Sequence, residues 1–128
     1  MASYQGKTIY IDSQKLRHQL RLCQPMMEKS NRIIYGTPIM EEAAQVKRDF
    51  IKAHEKFRLK LYTEADIAFW ELVGDFEVLK SDIRDMLNDG VLTSSHPSAH
   101  IHPDTMTTTL LELVGSIDKG IAKWRNSM

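Results

Sequence analysis

The chain has 128 residues, 42% of them hydrophobic, a length that suits one domain burying roughly two thirds of its unfolded surface without a disulfide or structural metal. Its 17 basic and 17 acidic side chains cancel, which excludes a global field drawing it to nucleic acid or to an acidic membrane and leaves only local basic surface. A membrane span is excluded because no apolar run nears ~20 residues, residues 1–11 lack the pattern of a signal peptide, and the lone Cys23 has no disulfide partner, so a cytoplasmic, reducing setting is expected.

In chain order, residues 1–11 are expected to be loose and helix 1 to start at Asp12 or Ser13, either a good N-cap, and to run toward Ser30. Its apolar seam is Leu16, Leu20, Cys23 and Met27, and Pro25 inside it either bends the helix or begins a second segment. Gly36, Thr37 and Pro38 predict a boundary, with Gly closing one element, Thr37 capping the next and Pro38 at its first helical position. Helix 2 then carries Ile39, Ala43, Val46, Phe50, Ala53 and Phe57. Thr63 with Asp66 offers a cap for helix 3, whose seam of Ala65, Phe69, Leu72, Phe76, Leu79, Ile83 and Met86 alternates steps of four and three, a face only an α-helix presents. Asn88, Asp89 and Gly90 end it, residues 91–102 read as a flexible loop, and Pro103 with Asp104 opens helix 4 with Met106, Leu110, Leu113 and Ile117. Four seams predict an all-α chain, a single domain over residues 1–128 folded as an antiparallel up-down four-helix bundle.

Two features exceed what a monomeric bundle needs. Ile51, Leu59, Ile67, Trp70 and Val78 lie off the seams, where polar residues normally meet water, and predict a second apolar face for self-association. Charge is also sorted by helix, with six basic and two acidic residues in 1–35, six and two in 47–60, and two and eight in 64–89. Arg48, Lys52, Lys56 and Lys60 recur every four residues along one side of helix 2. Such a row either tracks phosphates, each contact adding salt-dependent affinity, or lies against the acidic helix 3.

Catalytic and cofactor patterns are missing. A di-iron bundle needs Glu-x-x-His on two helices, and the chain has no such pair. His54-Glu55 starts a zinc-protease pattern, but Arg58 stands where its second histidine belongs. His96, His100 and His102 sit in a Ser- and Pro-rich stretch with no cysteine beside them, a weak basis for a metal site. Asp82 with Asp85, and Glu71 with Asp75, read as a solvated acidic face rather than a general acid and base. With no phosphate loop, dinucleotide fingerprint or nucleophile elbow, no enzyme, cofactor, metal or small-molecule substrate is expected.

The segments Leu22-Cys23-Gln24-Pro25, Asn31-Arg32-Ile33-Ile34-Tyr35-Gly36-Thr37-Pro38-Ile39, Lys60-Leu61-Tyr62-Thr63-Glu64-Ala65-Asp66, and Val114-Gly115 followed by Gly120 and Trp124 occur in a recognisable order. From about residue 16 to 125 the chain resembles the small four-helix bundle family that includes the 23S rRNA intervening-sequence proteins and the accessory variability proteins of diversity-generating retroelements. The resemblance implies a ring-like homo-oligomer, commonly a pentamer, that binds a reverse transcriptase and RNA or DNA through basic surface. On that reading Arg17, Arg21, Arg32, Arg48, Lys52, Lys56 and Lys60 would contact phosphate or partner, and Ile51, Leu59, Ile67, Trp70 and Val78 would join subunits. The alternative is a protein-interaction adaptor that binds no nucleic acid, its charges serving only solubility.

Overall fold

The computed structural model describes residues 2–93 and 101–127, with side chains from Thr8 onward. The chain is all-α, and no strand occurs among the described residues. Four long helices carry the fold: α1 (Ala2–Cys23), α2 (Thr37–Arg58), α3 (Tyr62–Asn88) and α4 (Pro103–Ser127). α2 lies most extensively along α3 and α1 along α4, while α1 also packs on α2.

The expected loose N-terminus is instead helix. α1 begins ten residues before the predicted caps because its early turns have partners: Ile9 is fully buried against Gly120 of α4, and the Tyr10 ring lies 5.6 Å from Phe50 of α2. Asp12 caps nothing, and its carboxylate accepts a hydrogen bond from the Ser116 hydroxyl at 2.5 Å. Pro25 ends the helix rather than bending it. α1 stops at Cys23, a 3-10 turn spans Gln24–Met26, and Met27 is extended.

The regular α-helix does begin at Thr37 with Pro38 in its first turn, but the predicted break before it and the Thr37 cap are missing. A helical turn Lys29–Asn31, a π turn Arg32–Gly36 and α2 follow one another with helical dihedrals at every junction, making one rod over residues 29–58. Pro38 lacks the N–H that would reach the Ile34 carbonyl, and its ring would crowd that carbonyl in a regular helix; the widened turn just before it relieves both. Gly36 is helical and buried here, and its role is space, since a Cβ would run into the Gln24 side-chain amide and lie 3.2 Å from the Met27 methyl.

Between α2 and α3 the backbone closes a Schellman motif. The Leu61 N–H donates to the Lys56 carbonyl and the Lys60 N–H to that of Phe57, with Lys60 at φ +62°. Thr63 is not the cap expected for α3, which starts at Tyr62 with Leu61 before it and no side-chain cap. The end of α3 is as predicted, with Asp89 as C-cap and Gly90 at φ +64°. Of the predicted loop 91–102, residues 94–100 lie outside the described residues, His96 and His100 among them. Its described start is tied down, as the Thr93 N–H donates to the Met26 carbonyl at 2.7 Å.

The seams on α1 and α3 are buried throughout, as are Ile39 to Ala53 on α2, with Phe57 half-buried. α4 departs from its predicted seam. Val114 is in the core where Leu113 was expected, Leu113 is half-buried, and Trp124 is 1% exposed with its ring 5.3 Å from Phe69 and 5.8 Å from Phe50. Cys23 is fully buried, and burial pushes its thiol up to about 12, so it is an inert core residue.

Candidate functional site

The polar features concentrate where α2 meets α3. Helical repeat places Glu42, Asp49, Lys52 and Lys56 on the α3-facing side of α2, and each meets a side chain of α3. At one end Lys56 pairs with Glu64 at 2.9 Å and Lys52 with Glu71 at 3.3 Å. Beyond them the pairs become acid against acid: Asp49 faces Asp75 and Glu42 faces Asp82. At the far end the Tyr35 hydroxyl donates to the Asp89 carboxylate, an interaction that raises the phenol's pKa.

Two facing carboxylates can hydrogen-bond only while one of them holds a proton. Glu42 is pushed up to about 8, first by burial, then by its hydrogen bond to Asp82 and by the charges of Asp82 and Glu41. Asp49, 5% exposed, is pushed up to about 6 by burial and its bond to Asp75, with Gln45 Nε2, donating at 2.9 Å, pulling the other way. Asp75 and Asp82 therefore do not simply form the solvated acidic face that the sequence suggests. The signal was available: Glu42 and Asp49 stand seven residues apart on α2, one turn-step from its core seam.

Of the predicted phosphate-binding side chains, Lys52 and Lys56 are held in ion pairs to α3, and Arg48 donates to Gln45 Oε1 at 2.8 Å. Lys60 has a backbone role in the α2–α3 turn. Arg17 is half-buried with its Nε buried and lacking a hydrogen-bond partner. Arg21 and Arg32 are exposed and make no ion pair with the described residues. The structure thus neutralises Lys52 and Lys56 in the α2 row, while Arg21 and Arg32, on α1 and in the turns that follow it, meet no carboxylate among the described residues.

The predicted apolar positions are exposed: Ile51, Leu59, Ile67, Trp70 and Val78 each show about half their surface. Ile67 and Val78 share a stripe of α3 with Gly74 between them, opposite the buried seam. Ile33 and Ile34 are more exposed still, at 64% and 62%, and lie outside the predicted apolar face because they belong to no helical seam in the sequence. Trp70 sits at the α4 edge of the α3 stripe, where it lines a cleft of about 540 Å³ at the end of the bundle. Phe57, Tyr62, Phe69 and Trp70 supply its aromatic wall, with Asp66 and Arg125 at its mouth.

No family model, curated protein or solved structure matches the chain. No group of three or more His, Cys, Asp or Glu side chains able to hold a metal occurs among the described residues, and the facing carboxylates remain isolated pairs. No described helix is long and apolar enough to cross a membrane. Among the described residues the surface offers guanidinium groups without carboxylate partners, a half-exposed apolar stripe and an aromatic cleft.

Proposed function

We propose that the protein is a non-enzymatic accessory factor, self-associating as an up-down four-helix bundle, that binds nucleic acid, alone or with a reverse transcriptase. Support for the up-down arrangement comes from contacts that run in opposite chain order, Lys56–Glu64 with Lys52–Glu71 between α2 and α3, and Tyr10–Phe50 with Gln24–Gly36 between α1 and the α2 rod. Self-association into a ring is supported by the stripe of Ile67 and Val78, which adds an apolar face beyond the one the core consumes. The single observation carrying the binding reading is that Arg21 and Arg32 are exposed cations without carboxylate partners among the described residues. A guanidinium left free is available for bidentate phosphate contact, unlike the ammonium groups of Lys52 and Lys56.

The test is fluorescence-anisotropy binding to structured RNA and to duplex DNA across a salt series. Arg21→Glu with Arg32→Glu is expected to abolish binding, and Lys52→Glu with Lys56→Glu to weaken it less. The affinity of the wild type should fall steeply with salt, each phosphate contact adding a slope of about −0.9 on logarithmic axes for duplex DNA. A second reading, an adaptor for other helical proteins without nucleic-acid binding, is favoured by the neutralisation of Lys52 and Lys56 by Glu71 and Glu64. Absence of binding at the lowest salt would select it, and light scattering would report the oligomer in either case.

A further inference from the structure

Resting on the nucleic-acid reading, we infer that the cleft between the α2–α3 turn and the end of α4 is a pocket for a single unpaired guanine base. At about 540 Å³ it falls within the ~300–1,000 Å³ of ordinary small-ligand sites, and aromatic rings dominate its wall. Phe69 is buried and forms the floor, while Tyr62 and Trp70 are more than one third exposed and leave ring surface for a planar ligand to stack on. Aromatic walls alone would equally suit an organic cation.

The two charged groups decide between ligands. Asp66 and Arg125 both line the cleft, yet neither makes an ion pair or hydrogen bond with the other or with any described residue. Arg125 disfavours an organic cation and Asp66 an organic anion, so the matching ligand is a neutral ring that donates on one side and accepts on another. A carboxylate takes two parallel N–H donors best, and a guanidinium takes paired acceptors best. Guanine has both in one plane, with N1–H and the N2 amino group on its pairing edge and O6 and N7 on its major-groove edge. Adenine, cytosine and uracil each lack the adjacent pair of donors. A base must be out of the duplex to enter, which is how sequence-specific RNA recognition commonly works.

The experiment is titration of the intact protein with GMP, AMP, CMP and UMP, read by calorimetry and by Trp70 fluorescence, Trp124 being buried in the core. GMP is expected to quench the signal and to bind at least about tenfold tighter than the other three, the size of one bidentate base contact. Asp66→Asn, an exposed site, should lose that preference with unchanged thermal unfolding, and Trp70→Ala, which also gives up an edge contact with Phe69, should lose GMP binding with the helical circular dichroism signal retained. The inference is overturned by no heat or quenching up to ~5 mM GMP, beyond the millimolar range of weak ligands. Equal affinity for all four nucleotides, tighter binding of tetramethylammonium, or an unaltered preference in Asp66→Asn overturns it as well. Substituting guanosine for GMP separates base from phosphate recognition, and retained binding confirms the base. RNA binding that survives Trp70→Ala while GMP binding is absent sinks the pocket alone, whereas GMP binding without RNA binding sinks the broader reading.

Discussion

The acid-against-acid pairs between α2 and α3 should make the protein less stable as pH rises. Glu42 is raised from 4.5 to about 8 and Asp49 from 3.8 to about 6 in the folded chain. Because both folded values lie above the unfolded ones, the unfolded chain gives up these protons first. Their stabilisation is full below about pH 4 and is lost as pH climbs to about 8. Asp49 is 5% exposed, so its shift of about two units converts to about 3 kcal/mol. Glu42 is partly wetted, and screening reduces its larger shift to about 2 kcal/mol. About half of this total is already lost by pH 5, because the unfolded carboxylates ionise below it, so with a urea dependence of about 2 kcal/mol per molar the remainder lowers the unfolding midpoint by about 1 M between pH 5 and pH 9. Urea unfolding followed by circular dichroism at pH 5, 7 and 9 measures it. In Asp75→Asn with Asp82→Asn an amide donates to each remaining carboxylate whatever the pH, and the dependence should flatten. A wild-type midpoint that is level or rises over this range, or an equal fall in the double variant, refutes the proton-sharing argument.

Four single substitutions have outcomes of their own. Phe76→Ala empties a fully buried ring site and is expected to cost ~3–5 kcal/mol in chemical unfolding, and an unchanged midpoint would mean that the α3 seam does not face the core. Lys60→Gly removes the strain of a side chain at φ +62° and should stabilise by about 1 kcal/mol, with nucleic-acid affinity unchanged if Lys60 serves only the turn. The glycines of α3 and α4 should respond in opposite senses: Gly74→Ala meets nothing within 4 Å and gains ~0.5–1 kcal/mol of helix propensity, whereas Gly120→Ala puts a Cβ 2.8 Å from Ile9 and should cost ~1–3 kcal/mol by overpacking. Thermal melts of the two variants side by side give the comparison.

Helical periodicity carried most of the fold because it reports which residues share a face, and the seam of α3 is buried from Ala65 to Met86. Local punctuation failed where tertiary contacts outweighed it. Asp12 and Ser13 look like a cap, but Ile9 and Tyr10 bury against α4 and α2, and that packing carries the helix back to residue 2. Gly36-Thr37-Pro38 looks like a break, but a π turn absorbs the proline while the Gly hydrogen leaves room for Gln24. Trp124 continues the α4 seam, seven residues after Ile117 and three after Ile121, but periodicity on one helix does not reveal that Phe50 and Phe69 close on it.

The functional surface was less legible because charge on one helix acquires its meaning from the helix beside it. Arg48, Lys52, Lys56 and Lys60 form a basic row only while α2 is considered alone. Once α3 lies against it, Lys52 and Lys56 become halves of ion pairs, and Lys60 becomes the pivot of a turn. The same juxtaposition turns Asp75 and Asp82 from solvated carboxylates into partners for Asp49 and Glu42. Phe57 and Asp66 flank the α2–α3 turn and folding brings Arg125 from the end of α4 to the same cleft, a grouping that no motif in a single segment encodes. Arg21, Arg32, Asp66 and Arg125 are charges that folding leaves without partners among the described residues, and the last two share a cleft with exposed aromatic rings, which is where binding is best sought.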